Sequence, residues 1–584
     1  VLGQGALENS VITQRLDWAL PLPSGAVAAR SLWRALVGRP LRQPTLRIVS
    51  LVPRPNLQKF VLPEVTLYNP TAEAVCLQGW QLASSTRQAN FQLAGSIGAG
   101  QRLRIPIPDK RLPLSEKGDL LSLLDPTGAQ ICRVGYEARD VDNGSLIVFQ
   151  DEGKLEGYLD RISQGLENAY REALPKLRQP VPADPSDILA GGSGANVVVI
   201  ILESFRYPAL IPELMPRLCE WGRRGLVLRQ HYAESNTSHL GAFALLYGRS
   251  PFLYEQTLGA SIPPQSSVTF RRGGYQTRFL SAGEFGGWKR MDLFINQTNF
   301  DEVTFLPNQN EQAWTGWPDG DLRVLEMARQ ILETADRPQF LVLFMMSTHY
   351  PYLYPQEFER HTPALPLQQA SGWTAQRLDH LHNRYRNAAG FLDDAIGNLV
   401  SSVDSTRTLF VVTGDHGESL MDDGAVAHGS RPSEIQTRVP FLMVGPGVAP
   451  ATIEAATVHS DAVPTLFHAL MGRPVSIAGA QGRDLLDRFH EEETLLIKPL
   501  SKIEPGHMVL VRGQERLLVQ YSSDRPEIEA LSFIDEAGYP CMPAGYSRNP
   551  PSVWIAAFQD RMARLSIGSG AAGCSTAGPS ARKR

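Results

Sequence analysis

Between residues 196 and 428 the chain alternates short apolar, β-branched runs with amphipathic stretches, and this alternation restricts the fold more than any other feature. NVVVIILES, GLVLRQHYAE, GYQTRFLSAG, QFLVLFMMSTHYP and TLFVVTGDHGE read as strands. Near-continuous apolar composition suits strands buried on both faces. PELMPRLCEWGRRG, SHLGAFALLYG, DLRVLEMARQILETA and DHLHNRYRNAAGFLDDAIGNLVSSV lie between them with helical spacing of their apolar residues. The order predicts an α/β fold, a mostly parallel sheet with helices on both faces. In such sheets ligands bind beyond the carboxyl ends of the strands, so polar residues placed there are the first candidates for chemistry.

Four of these ends carry such residues. Glu203 ends the first run, and Asn236-Thr237-Ser238 lies between a strand and a helix. His349 follows MMST, and Asp415-His416 ends TLFVVTG, with His428 beyond the turn-rich Asp422-Asp423-Gly424. Glu, Asp and His offer the oxygen and imidazole donors that suit Zn2+ or Mn2+. A hydroxyl bound to such a cation loses its proton readily, so Thr237 or Ser238 reads as a nucleophile. The helix amino terminus beside them favours a phosphoryl anion. Taken singly, each has a plainer role: Glu203 as a turn cap, Thr237 and Ser238 as N-caps, His349 packed beside Tyr350 and Pro351. Together, at four successive strand ends, the plain roles require a coincidence.

The rest of the chain sets bounds. At 584 residues it exceeds one compact core and calls for two or three domains. A hydrophobic share of 43% and a charged share of 20% are those of a globular protein. A net charge of −4 supplies no basic field, so no nucleic-acid partner is expected. Cys76, Cys132, Cys219, Cys541 and Cys574 show no paired-ligand spacing, which excludes a thiolate metal site. A Cys76–Cys132 bond stays open. No stretch approaches the roughly 20 apolar residues that span a bilayer. The chain opens on Val1, shows no signal peptide and reads as processed or trimmed, which leaves room for membrane helices upstream.

Residues 1–44 are mixed, with a helical-looking piece over 26–37 and no functional reading. Over 45–140, RIVSLV, EVTLYN, AVCLQGWQLAS, QRLRIPI, DLLSLLD and QICRVGY alternate with turn signals and predict a small antiparallel sandwich. Residues 141–194 hold one amphipathic helix, expected to pack on a domain, then a Pro- and Gly-rich linker with a boundary at 180–195. Residues 195–565 form the α/β unit, and the tail at 566–584 is expected to be disordered.

Two resemblances add to this. Tyr68-Asn69-Pro70, residues 77–82 (LQGWQL), Ile97-Gly98-Ala99-Gly100, Gly118-Asp119 and Leu124-Asp125-Pro126 follow one another as in lamin-tail domains. Residues 45–140 thus resemble that immunoglobulin-like type, which implies a spacing module or one that binds a protein partner. Residues from about 195 to 560 resemble the alkaline-phosphatase/sulfatase superfamily, in its lipoteichoic-acid synthase and phosphoethanolamine-transferase branch. The residues that carry this are the Glu203 strand, Asn236-Thr237-Ser238 with Leu246-Tyr247-Gly248, Trp288-Lys289-Arg290, and Ser347-Thr348-His349-Tyr350-Pro351. Asp415-His416-Gly417-Glu418, Ala427-His428-Gly429, Val439-Pro440-Phe441 and residues 461–466 (DAVPTL) complete the set.

The resemblance implies Thr237 as nucleophile, and Glu203, Thr237, Asp415 and His416 around a divalent ion, Zn or Mn, with Mg as a third candidate. Trp288, Arg290, His349 and His428 would bind substrate. It implies an extracytoplasmic phosphotransferase or phosphodiesterase, periplasmic or at the cell surface. The donor would be a phospholipid headgroup, phosphoglycerol or phosphoethanolamine, moved through a phospho-threonine to an envelope glycan or lipid. Transfer and hydrolysis stay equally open. Three departures qualify this. The C/S-x-P-x-R motif of sulfatases is echoed only by Cys541-Met542-Pro543, without its arginine, which argues against a sulfatase. Ser281 stands where lipoteichoic-acid synthases carry a histidine, and the stapling cysteines of phosphoethanolamine transferases are absent. The alternative is a non-catalytic envelope protein that binds lipid or a protein partner.

Overall fold

The computed structural model describes residues 46–137, 147–148, 154–177, 194–306, 316–367, 375–487 and 493–566, apart from short stretches inside these ranges. The expectations for residues 1–44, for the linker at 178–193 and for the tail beyond residue 566 lie outside the described residues, as do Cys541 and Cys574.

The alternating region folds as the periodicity predicts. Strands β1 (Asn196–Leu202), β2 (Leu226–Tyr232), β3 (Gln276–Ser281), β4 (Glu302–Phe305), β5 (Gln339–Met345), β6 (Thr408–Gly414), β7 (Arg438–Val444) and β8 (Ala451–Val458) form one sheet. Their order is β4-β3-β5-β1-β6-β7-β2-β8. Neighbours run parallel except around β7, which is antiparallel to both β6 and β2. Because side chains alternate across a strand, β1 divides between two cores. Val197, Val199 and Ile201 enter one, and Val198, Ile200 and Leu202 the other. Each such side chain contributes roughly 1.5–3 kcal/mol of burial, which is why central strands read as unbroken apolar runs.

Helices cover both faces. The first core takes Leu240, Phe243 and Leu246 from the helix Ser238–Tyr247. The second takes Val324 and Ala328 from Trp317–Thr334, and Leu381, Leu392 and Ile396 from Ala375–Ser402. In chain order with the helix Lys154–Leu177 as α1, these are α2, α3 and α4, and Pro551–Ser566 is α5.

Two smaller units flank the sheet. On the amino-terminal side, two four-stranded antiparallel sheets share a core that includes Leu51, Leu67, Trp80, Leu82 and Leu121. Asn69 is buried there, and its amide donates to the carbonyls of Glu73, Ile97 and Gly98 at 2.8, 3.0 and 3.0 Å. No disulfide joins Cys76 to Cys132; the Cys132 sulfur accepts the Ile48 N–H at 3.4 Å. On the carboxyl-terminal side, residues 495–534 build a four-stranded antiparallel sheet that the sequence reading folded into the α/β unit. Helix α1 packs there with α5, through Leu159, Ile162, Leu166 and Tyr170 against Leu510, Leu517, Trp554 and Phe558. Among the described residues no helix is long and apolar enough to cross a membrane.

Candidate active site

The carboxyl ends of β1, β5 and β6 and the turn after β2 converge. Glu203 prolongs β1 by one ladder bond, its N–H donating to the Met345 carbonyl at 3.0 Å. Ser204 then turns the chain with a φ of 61°, in the left-handed region. For a residue with a side chain this costs about 1–2 kcal/mol, so its neighbours must hold it. Ser204 N–H donates to Asp415 Oδ1 at 3.0 Å, and its carbonyl accepts the Tyr385 hydroxyl at 2.9 Å.

The neighbouring strand β6 supplies Asp415 and His416, both fully buried. Asp415 Oδ1 accepts two backbone N–H groups, from Ser204 and from His416 at 2.8 Å. Its other oxygen, Oδ2, is buried without a hydrogen bond, 3.5 Å from His416 Nε2. His416 Nδ1 lies 2.7 Å from the Gly417 carbonyl. That oxygen only accepts, so Nδ1 carries the proton and Nε2 presents a lone pair, 3.2 Å from Glu203 Oε1.

Burial pushes the His416 pKa down to about 4, which keeps the ring neutral. Burial, and then the charge of Glu203, push Asp415 up to about 8; burial also raises Glu203. Two crowded carboxylates and a bare nitrogen, with ligand atoms within 4.8 Å of one another, form a deficit that one divalent cation would fill. The unbonded Asp415 Oδ2 and the mixed O/N donor set fit such an ion, with Zn2+ and Mn2+ foremost.

The structure turns Ser238, not Thr237, toward this cluster. Ser238 Oγ is 3.0 Å from Glu203 Oε1 and 3.1 Å from His416 Nε2. Thr237 is the N-cap of α2, makes no capping bond with its side chain, and places Oγ1 3.2 Å from Ser235 Oγ. Thr237, expected as nucleophile and metal ligand, is thus not the hydroxyl that lies against Glu203 and His416. Thr237 has extended backbone angles (φ −143°, ψ 139°) and Ser238 is the first helical residue, so their side chains leave in different directions. Close approach of α2 depends on Gly241, where a Cβ would stand 1.8 Å from the Asp415 carbonyl oxygen.

A second group adjoins the first. His428 Nδ1 is 2.7 Å from Glu418 Oε2, and Tyr352 OH donates to Glu418 Oε1 at 2.7 Å. Burial opposes a charge on His428, but the Glu418 carboxylate overrides it and pushes the pKa up to about 9. The His428 ring lies 4.0 Å from that of His416 and 6.0 Å from that of His349. Glu203, His349 and His428 make a second potential ligand triad that shares Glu203 with the first. Asp321 in α3 holds the β5 end in place, accepting the N–H groups of Met346 and Ser347 and the Ser347 hydroxyl.

Glu203, Ser238, His349, Asp415, His416 and His428 thus come together. Trp288 and Arg290 stand aside: Trp288 packs edge-on to His239 at 5.5 Å, and Arg290 Nη1 pairs with Glu255. Sequence reasoning gave no role to Ser204, Asp321 or Glu418. Glu418 had a usable signal, since it closes the Asp415-His416-Gly417-Glu418 run at the end of β6. Asp321 looked like one of several acids opening a helix.

Known proteins resemble part of this chain. Residues 195–472 match the sulfatase family model. Choline-sulfatase of Rhizobium meliloti (strain 1021) is 26% identical over 201 residues, 29% of this chain and 36% of that protein. Inner membrane protein YejM of Salmonella typhi is 20% identical over 285 residues, 48% of this chain and 42% of that protein. The chain therefore matches less than half the length of either relative. Among solved structures, the C-terminal periplasmic domain of EcEptC from Escherichia coli in complex with Zn aligns over 57% of this chain and 96% of that one. It is 16% identical, with a TM-score of 0.46.

Proposed function

We propose that residues 195–565 form a metal-dependent phosphotransferase or phosphodiesterase that works through a phosphoserine on Ser238. The observation that carries this reading is the Ser238 hydroxyl, 3.0 Å from Glu203 Oε1 and 3.1 Å from His416 Nε2 in a buried donor set. Glu203, Asp415 and His416 would hold the divalent ion. When bound, such an ion lowers the pKa of a neighbouring hydroxyl and offsets charge building on phosphoryl oxygens.

With a cation held beside it, Ser238 would have lost its proton to solvent beforehand. As alkoxide, Oγ would form the new bond to phosphorus as the bond from phosphorus to the leaving alcohol breaks, and in the second half it would leave again as that alkoxide. His428, kept protonated by Glu418, gives the leaving alcohol oxygen its proton. His349 helps orient the phosphoryl group. In the second half, water or an acceptor hydroxyl attacks the phosphoserine, returns its proton to His428 and frees Ser238. The match of residues 195–472 to the sulfatase family model supports phosphoryl or sulfuryl chemistry. The lack of a C/S-x-P-x-R motif favours phosphorus.

The donor we propose is a phospholipid headgroup, and the place extracytoplasmic, in keeping with the inner-membrane and periplasmic names of the relatives. The 45–140 unit would act as a lamin-tail-like spacer or protein-binding module. A non-catalytic binding protein has no use for a hydroxyl seated between two metal ligands. The test is metal content and turnover of bis(p-nitrophenyl) phosphate on the purified chain. Bound Zn or Mn, turnover lost on chelation and restored by the ion, and a phosphoserine on the Ser238 peptide are expected. Metal-free protein that stays inert after Zn and Mn are added would overturn the proposal.

A further inference from the structure

The one-turn helix Glu434–Thr437 lies between the loop that carries His428 and strand β7, and its Gln436 is fully buried. Its surroundings fix the orientation of the Gln436 amide. Oε1 accepts the backbone N–H groups of Ser430 and Arg431 at 3.1 and 3.3 Å, and Asn236 Nδ2 at 3.0 Å. Nε2 donates to Asp423 Oδ2 and to Ser430 Oγ, both at 2.8 Å. Backbone N–H groups only donate and a carboxylate only accepts, so the two ends of the amide cannot be exchanged.

The partners belong to different arms of the site. Asn236 stands two residues before Ser238, in the turn that leads into α2, and its amide also donates to the Arg431 carbonyl at 2.9 Å. Ser430 and Arg431 follow His428 by two and three residues. Asp423 lies in the hairpin of the short strands Ser419–Leu420 and Val426–Ala427, which runs directly into His428. The other Asp423 oxygen accepts the Ala425 N–H at 3.0 Å and the Ser419 hydroxyl, so a bond to Asp423 holds both sides of that hairpin. The arms also meet directly: a Cβ at Gly429 would stand 3.4 Å from Thr237 Cγ2. A buried glutamine that serves only to stabilise one loop needs partners on that loop alone. This one joins the segment before the nucleophile to the segments on both sides of His428.

We propose that Gln436 is a positioning residue, which fixes Ser238 Oγ and the His428 ring relative to each other so that attack and protonation of the leaving oxygen fall on one phosphoryl group. The proposal rests on the reading of Ser238 as nucleophile and His428 as acid. Both adjoin His416, with Ser238 Oγ 3.1 Å from its Nε2 and the His428 ring 4.0 Å from its ring, so the arrangement leaves little slack. A displacement of about 1 Å is enough to cost about a hundredfold in rate.

The test is the rate of phosphoserine formation by the purified full chain, per folded and metal-loaded molecule, with two diesters. Bis(p-nitrophenyl) phosphate releases a phenolate that needs little protonation, and diphenyl phosphate one that needs more. An acid in place keeps the ratio of the first rate to the second small. Q436M should lower both rates and raise that ratio about tenfold, part of what a general acid supplies. S430A, a milder change that removes one acceptor at a half-buried position, should raise it about threefold, the size of one weak hydrogen bond. H428N should raise the ratio at least as far as Q436M, and H428N/Q436M no further, since no acid is left to position. A glutamine that only stabilises the fold predicts an unchanged ratio. An unchanged ratio in Q436M and S430A beside a raised one in H428N, or a further rise in the double variant, would overturn the positioning role. An unchanged ratio in H428N would instead refute the acid, and a phosphoryl adduct on another residue the nucleophile, so failure of the underlying reading is seen separately.

Discussion

Removing two neighbouring hydroxyls, Ser238→Ala and Thr237→Ala, should have effects of very different size. Ser238 Oγ sits 3.0 Å from Glu203 Oε1 and 3.1 Å from His416 Nε2, so its loss deletes the attacking atom itself. Deleting a covalent nucleophile lowers kcat on the order of a millionfold, about 8 kcal/mol of barrier. Thr237 Oγ1 makes one hydroxyl contact, 3.2 Å from Ser235 Oγ, and caps nothing. Such a bond contributes about 0.5–1.5 kcal/mol, so even if all of it appeared in kcat the loss would be about two- to tenfold.

The assay is single-turnover hydrolysis of bis(p-nitrophenyl) phosphate, with metal content measured on each variant so that a lost ion is not mistaken for a lost nucleophile. Thr237→Ala should keep both metal and most of its rate. Ser238→Ala should be inert and form no covalent phosphoryl adduct. A large loss in Thr237→Ala, with Ser238→Ala still forming the adduct, would refute the assignment and the helix geometry behind it.

Other outcomes follow from the same contacts. Gly241→Ala brings a methyl to 1.8 Å from the Asp415 carbonyl, and both sides of that clash are backbone; about 1–3 kcal/mol of stability should go, by urea midpoint, with weaker metal retention. Asp321 is pushed by burial from 3.8 up to about 7, so its contribution is present at low pH and lost as pH rises through about 7. At about 1.4 kcal/mol per unit this is on the order of 4 kcal/mol, and Asp321→Asn should flatten the stability curve between about pH 4 and 7; an unchanged slope would refute it. In chelator, Glu203→Gln should be more stable than wild type, because it relieves two buried like charges. With the ion at 100 times its Kd the order should reverse, wild type gaining about 2.7 kcal/mol; thermal unfolding with and without chelator reads both.

The sheet and the elements that carry the site were legible because both rest on short-range pattern. Val197 to Leu202 must be buried on two faces, and Glu203, His349 and Asp415 stand directly beyond such runs. The carboxyl-terminal sheet was not legible, since its pairings join residues 495–534 only through register, and α1 meets it from more than 300 positions earlier. Trp288 and Arg290 are expected to bind substrate, and a turn of strained residues after Gly287 sets Trp288 against His239 and Arg290 against Glu255. No local propensity foretells two left-handed residues in succession.

The choice between Thr237 and Ser238 was a matter of helix phase, and the chain does contain the information that fixes it. Residues three apart share a helix face, so Ser238 lies over Gly241. Gly241 is the position where α2 presses on the Asp415 backbone too closely for any side chain. The face of α2 that carries glycine is thus the face toward Asp415, and Ser238 is on it. Thr237 precedes the first helical residue, with extended φ and ψ of −143° and 139°, and its side chain leaves along a different direction. A glycine inside a fully buried helix has no propensity reason to be there. Its presence three residues after a serine marks which hydroxyl the helix delivers to the cluster.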